Sequence, residues 1–135
     1  MGPARSAATL LSEARALLPR SSAPYSRFRV AAILEDEAGV LHPGVNVESP
    51  TLVMGICAER NAVFGAVARG HAPFRRMAIV ADTRRPVLPC GACRQVLMEQ
   101  APDLVVVLER ADGSPEEIPL LDLLPRPFTG DDRPY

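Results

Sequence analysis

The sequence contains no lysine, because all 15 of its basic residues are arginine. That removes any lysine nucleophile or Schiff base from the chemistry available. Net charge is also scarce, at −1 from 15 basic and 16 acidic residues. Without a basic excess there is no electrostatic reason to bind polymeric nucleic acid, whose affinity rests on neutralising phosphates, so a small-molecule partner is expected. No stretch approaches the ~18 consecutive apolar residues of a membrane-spanning helix. The first twenty residues lack the basic, apolar and small-residue zones of a secretory leader, and a cytoplasmic protein with no membrane partner is expected. Cysteine is limited to three residues. An odd number with no export signal cannot complete a disulfide framework, which leaves metal ligation or free thiols. No internal repeat and no low-complexity segment interrupts the chain. Its 135 residues, 47% of them hydrophobic, suit one domain spanning residues 1–135.

What is present is periodic. Leu10, Leu11, Ala14, Leu17 and Leu18 recur at helical spacing up to Pro19, which predicts an amphipathic helix over residues 6–18. FRVAAIL and VLHPGVNVE flank the acidic turn EDEAG and read as an antiparallel hairpin. Pro43-Gly44 marks an expected bulge or bend in its second strand. The segment from Cys57 to Gly70 is apolar at Ala62, Val63, Phe64, Ala66 and Val67, as a helix buried between layers should be, with Gly70 as its C-terminal cap. MAIVA, CGACRQVLMEQ and LVVVLE follow as strand, helix and strand. That alternation implies a parallel pair, hence a mixed sheet. A polar turn, a short last strand within 111–119 and a helical turn over Leu120–Leu124 complete the reading.

The chemistry gathers at two helix starts. Cys90 and Cys93 stand three apart and share a face, while Cys57 opens the other helix. Helix N-termini lower a thiol's pKa, so all three thiolates are expected to be stabilised before a metal arrives, and zinc is the ion such soft ligands hold. Three protein ligands leave the fourth tetrahedral position to water, the arrangement of a catalytic site. The only candidates for a fourth ligand, His42 and His71, read as exposed bystanders. Three thiolates around a divalent ion leave a net −1, which calls for a neighbouring cation. Arg60, three residues after Cys57, and Arg94, four after Cys90, are within reach along their helices. Glu59 could merely favour the helix dipole. Two positions after a ligand, it could instead lean over the same ion and move protons to and from its water.

C-A-E joined to P-C-x-x-C resembles the zinc-dependent cytidine deaminases, specifically the small three-cysteine branch that forms homotetramers; the motif and its glutamate are a known signature. The resemblance extends over YSRF, NVE at residues 46–48, GICAER, PCGACRQ and LLPRPF. It implies a three-layer α/β fold with a mixed five-stranded sheet and helices on both faces. It implies hydrolysis of cytidine and 2′-deoxycytidine to uridine and 2′-deoxyuridine in pyrimidine salvage, with one Zn²⁺ per subunit. By the resemblance Cys57, Cys90 and Cys93 bind the zinc, and Glu59 protonates N3 and then the departing amine while an activated water attacks C4. It gives Asn46 and Glu48 the ribose 3′-hydroxyl, lays Phe28 on the pyrimidine, turns the Ala58 N–H to the base carbonyl and sends Phe128 to a neighbour's pocket.

The chain departs from the family pattern at three places. Arg29 and Ala31 replace a usual proline and glycine, Pro50 and Leu52 stand where a small residue and a tyrosine are usual, and FTGDD replaces FGPxD in the tail. Pro50 and Leu52 belong to the segment that approaches a neighbouring subunit's substrate. The alternative they leave open is a deaminase of a modified cytosine nucleoside or a blasticidin-S-like nucleoside. A non-catalytic zinc-stabilised subunit is a third reading, against which Glu59 argues, since such a protein has no need of a carboxylate over the metal.

Overall fold

The structure, a computed structural model, describes residues 5–70 and 73–132. Helix α1 (Ala7–Leu17) begins where the Ser6 hydroxyl accepts from the Thr9 N–H at 3.1 Å, and Pro19 sits in the short 3₁₀ turn that follows it. Strands β1 (Val30–Asp36) and β2 (Leu41–Val45) form the expected hairpin. Its turn is held by the Asp36 carboxylate, which accepts from the N–H groups of Ala38 and Val40 at 3.0 and 2.9 Å. Then come α2 (Ala58–Ala68), β3 (Phe74–Ala81), α3 (Gly91–Gln100), β4 (Val105–Glu109), β5 (Pro115–Pro119) and α4 (Leu120–Leu123). Gly70 takes φ +77° just past α2, a conformation that suits a glycine cap.

The strands lie in the order β2-β1-β3-β4-β5. All pairs are antiparallel except β3 with β4, which α3 connects, so the sheet is mixed as expected. The period of two along β1 sorts its side chains between two layers. Ala31 and Ile33 join Ala78, Val80 and Val107 under Leu10, Leu11, Ala14 and Leu18. Val30, Ala32 and Leu34 face the other way, with Met77, Ile79, Val106 and Leu108, against α2, α3 and α4. This second layer carries the helix starts on which the cysteines stand.

Three expectations change. Pro43-Gly44 makes no bulge: the two pair in register with Ile33 and Ala32, and the irregularity falls at Glu35/Asp36 instead. Helix α2 is not covered all round, because Phe64 and Val67 are 47% and 46% exposed. His42 is no exposed bystander. It is 1% exposed, its Nε2 lies 3.0 Å from the Asp36 carboxylate, and the Arg69 guanidinium is 3.1 Å from its Nδ1. A strand-borne imidazole that pairs with a carboxylate in the hairpin turn satisfies itself within the fold. His71 lies outside the described residues.

Candidate metal centre

Cys57 and Cys90 occupy equivalent places, each the residue immediately before a helix, with extended backbone and no side-chain capping bond. Cys93 follows in the first turn of α3. The helices point these ends at one another. The Cys90 Sγ lies 3.9 Å from the Cys57 Sγ and 3.4 Å from the Cys93 Sγ, and all three sulfurs fall within 4.8 Å of one another. Four ligands about 2.3 Å from zinc would stand about 3.8 Å apart at tetrahedral angles. The donor set therefore fits zinc in kind and spacing, with room for one further ligand. Among the described residues no histidine or carboxylate joins the group.

The thiols are not uniformly acidified, contrary to the helix-dipole expectation. Burial and the neighbouring Glu59 carboxylate push the Cys93 thiol far up. Burial also works against ionising Cys90, but hydrogen bonds from Cys93 and Cys57 outweigh it and bring that thiol below its ordinary range. Three sulfurs this close cannot all carry charge without a cation among them, and that electrostatic demand is a second sign of fit.

Arg60 supplies the expected positive charge. Its Nη2 donates to the Cys57 Sγ at 3.4 Å, and hydrogen bonds to Cys57 and Cys93 raise the guanidinium's own pKa, so it stays a cation. Arg94 does not share this task. It donates instead to the Pro89 carbonyl at 2.8 Å and the Leu123 carbonyl at 2.9 Å. Glu59 sits in the first turn of α2, only 5% exposed. Burial raises its carboxyl above the ordinary range, while its own N–H and the Cys93 thiol offset part of that rise. A carboxyl held up in this way gives up its proton less readily than a free one, which suits a group that passes protons on.

These groups face a cavity of about 270 Å³ lined by Phe28, Asn46, Glu48, Ala58 and Glu59 together with Cys57 and Cys90. Four residues singled out for substrate and the proposed proton shuttle Glu59 thus meet two of the metal ligands. Ala58 is the first residue of α2, so its N–H has no intrahelical acceptor. Asn46 and Glu48 are also tied into the fold. The Asn46 Oδ1 accepts from the Val30 N–H at 2.9 Å and from the Ser21 hydroxyl, and its Nδ2 donates one hydrogen to the Phe28 carbonyl at 2.8 Å. The Glu48 carboxylate accepts from the Tyr25 and Ser26 N–H groups at 3.0 Å each and from the Ser26 hydroxyl; bonds from Ser26 foremost hold its pKa below the usual range.

A larger adjoining cavity, about 470 Å³, shares Asn46, Glu48 and Cys57 and reaches Leu52, Tyr25 and Arg60. Leu52 is 79% exposed at φ +63°, beside the exposed Val53 and Met54. Pro50 lines neither cavity. Phe128 lies elsewhere, lining a third cavity with Met98 and Pro102, and its carbonyl accepts from the Gln95 side chain at 2.9 Å. Within one chain, therefore, Pro50 and Phe128 are not brought to the cysteines.

One residue of this region, Asn61, escaped sequence reasoning, and another, Gly44, was read as a bend. Asn61 accepts from the Val45 N–H at 3.0 Å through its Oδ1. Its signal was a poor helix former inside an alanine-rich helix. Gly44 lies flush against α2. A glycine inside a strand signals either a bulge or a close backbone approach, and the second was the case here.

A family model for the cytidine and deoxycytidylate deaminase zinc-binding region matches residues 4–109. The chain is 46% identical over 110 residues to a cytidine deaminase of Halalkalibacterium halodurans, covering 81% of this chain and 83% of that protein. It is 41% identical over 127 residues to one of Sporosarcina psychrophila, covering 93% of each. The crystal structure of cytidine deaminase from Burkholderia pseudomallei superposes with a TM-score of 0.86 at 40% identity, over 92% of this chain and all of that one (100%).

Proposed function

The chain belongs to the family of zinc-binding cytidine and deoxycytidylate deaminases, and from that premise we propose that it hydrolyses cytidine and 2′-deoxycytidine to uridine and 2′-deoxyuridine, releasing ammonia. The observation that carries the reading is the clustering of three thiol sulfurs beside a cavity that Cys57 and Cys90 line together with the buried Glu59. Cys57, Cys90 and Cys93 would hold one Zn²⁺, which when bound acidifies a water and so supplies a nucleophile near neutral pH.

Glu59 would take a proton from the attacking water and deliver it to N3 as the C4–O bond forms. It then carries the second proton from oxygen to the amino nitrogen, and the C4–N bond breaks with ammonia as the leaving group. Water is consumed, N3 keeps one hydrogen and C4 keeps the oxygen, so the atoms balance. Arg60 holds the Cys57 thiolate and offsets the negative charge of the ligand set. The Ala58 N–H faces the base carbonyl, and Phe28 packs on the pyrimidine. Nδ2 of Asn46 keeps one hydrogen beyond that given to Phe28, and Glu48 is held ionised, so the pair offers a donor and an acceptor to a sugar hydroxyl.

The adjoining cavity beside Leu52 supports a second reading, in which the substrate is a cytosine nucleoside with a larger sugar substituent, as in blasticidin S. An ultraviolet assay of the purified protein against cytidine, deoxycytidine and blasticidin S, with zinc measured on the same sample, separates the two. Turnover of the natural nucleosides is expected; zinc-loaded protein inert to both overturns the first reading.

We read residues 1–135 as one domain, since the described helices pack on a single sheet, and its assembly as a homotetramer. Exposed Leu52, Val53, Met54, Phe64 and Val67 support a self-associating surface. In that assembly Pro50, Leu52 and Phe128 act across subunits. Three cysteines outside any disulfide suit a reducing cytoplasm, and no helix among the described residues is long and apolar enough to cross a membrane.

A further inference from the structure

Gly44 of β2 lies against the first hydrogen-bonded turn of α2. A Cβ built there would stand 2.2 Å from the Ala58 carbonyl oxygen, 2.6 Å from the Ala62 nitrogen and 2.8 Å from the Ala62 Cβ. These are mostly backbone atoms, which cannot swing aside, so any side chain at position 44 must lift the helix. On the helix side Ala58, Ala62 and Ala66, at i, i+4 and i+8, are all fully buried at 0% exposure. They form a seam of small residues on the face turned to the sheet.

Beside that seam Asn61 makes a second tie. Its Oδ1 accepts from the Val45 N–H of the edge strand at 3.0 Å, and its own N–H donates to the Cys57 carbonyl at 2.9 Å. One residue thus joins the strand neighbour of Gly44 to the metal ligand that opens the helix. Contact at Gly44 fixes how deeply the turn is seated, and the Asn61 bond fixes its rotation about the helix axis. Cys57 and Glu59 stand on this turn, whereas Cys90 and Cys93 stand at the start of α3, so the seating of α2 on the sheet bears on how the two halves of the metal centre align.

We propose that Gly44 and Asn61 are positioning residues: they set the register of Cys57 and Glu59 against Cys90 and Cys93, and through it the metal geometry and the proton path. The catalytic part of this rests on the deaminase reading; the metal part does not.

The test compares wild type with Gly44→Ala, Asn61→Ala and Asn61→Asp, whose carboxylate can still accept from the Val45 N–H. Each protein is loaded with Co²⁺, and its thiolate-to-metal and ligand-field absorption, release of metal to a chelator, circular dichroism, and kcat and KM for cytidine are measured. Displacing a reacting group by about 1 Å costs on the order of 10²-fold in rate, and losing a residue that orients a metal ligand costs about 10 to 100-fold in metal affinity. Gly44→Ala is expected to keep its helix content, shift the cobalt spectrum, release metal at least tenfold more readily and lose kcat on the order of 100-fold with KM little changed. Asn61→Ala is expected to move the same way by about tenfold, and Asn61→Asp to restore the spectrum. Unchanged spectra and metal retention in the alanine variants, with or without a loss of thermal stability, would overturn the proposal. Should Gly44→Ala not fold, Asn61→Ala decides alone. Should wild type not turn over cytidine, the deaminase reading falls, while the cobalt spectrum still tests the seating of α2.

Discussion

Glu59 is a carboxyl that its surroundings keep from ionising easily. Burial raises its pKa, opposed by its own N–H, the Cys93 thiol and the charge of Arg60. A group that ferries protons must hold and release them at working pH, and burial provides that. Glu59→Gln keeps the shape and removes the titration. It is expected to bind one zinc per chain and fold normally while kcat drops by about 10² to 10⁴-fold, the usual contribution of general acid-base catalysis; wild-type-like turnover would remove Glu59 from the mechanism. Arg60→Gln removes a donor to the Cys57 thiolate and the cation beside it. Weaker zinc retention by about 10 to 100-fold, measured by chelator competition, is the expected result. These roles were legible in the sequence because a ligand, a carboxylate and an arginine within four consecutive residues form a local pattern. His42 and Asn61 were not, because Asp36, Arg69 and Val45, which give them their meaning, arrive from other elements. Arg94 shows the opposite error: spacing put it within reach of the thiolates, and spacing carries no information about a competing carbonyl.

Among the elements, α3 connects the metal centre to the end of the chain. Arg94 grips the carbonyl of Pro89, just ahead of the ligand Cys90, and with the same guanidinium the carbonyl of Leu123 in α4. Gln95 holds the Phe128 carbonyl next to it. The segment from Leu123 to Phe128 is therefore fastened to the helix that carries two ligands. Arg94→Gln loses two charge-assisted bonds and is expected to destabilise the protein by about 1 to 3 kcal/mol. The loss should show in urea denaturation and in faster amide exchange across Leu120–Leu124, with the cobalt spectrum less affected than by changes on α2. Element types and order were readable from periodicity almost throughout. The surroundings of α2 were not: a helix apolar on nearly all sides looks the same whether its outer face meets a layer or stays open, as Phe64 and Val67 do. The glycine of β2 likewise could not announce whether it bent the strand or admitted the helix.

At the scale of the whole molecule, the sheet separates two kinds of work. One end of its helical layer holds the thiols, and the hairpin region around Glu35 and Asp36 holds buried charge far along the chain from any ligand. The mixed topology was legible because one crossover helix joins the two strands that run parallel, but the buried ion pairs were not, since Glu35 looked like part of a solvated acidic turn. Glu35 is fully buried on β1 and accepts from Arg76 at 2.8 and 3.1 Å and from Arg75 at 3.1 Å on β3. Burial alone would raise its carboxyl; the hydrogen bonds from Arg76 and then Arg75 outweigh burial and hold it below its ordinary value of 4.5. A carboxyl depressed by folding stabilises the native state above its unfolded pKa, and that contribution is lost as pH falls through the lower, folded value. Glu35→Gln is accordingly expected to cost about 1 to 3 kcal/mol near pH 7, where both states of the wild type are ionised. Measured by urea denaturation, the gap between wild type and variant should stay level down to about pH 5.5 and shrink below about 4.5. Zinc loss in acid affects both proteins alike and cancels in that difference. A gap that is absent at pH 7, or one that widens on acidification, would show that the paired arginines do not hold Glu35 in its charged form.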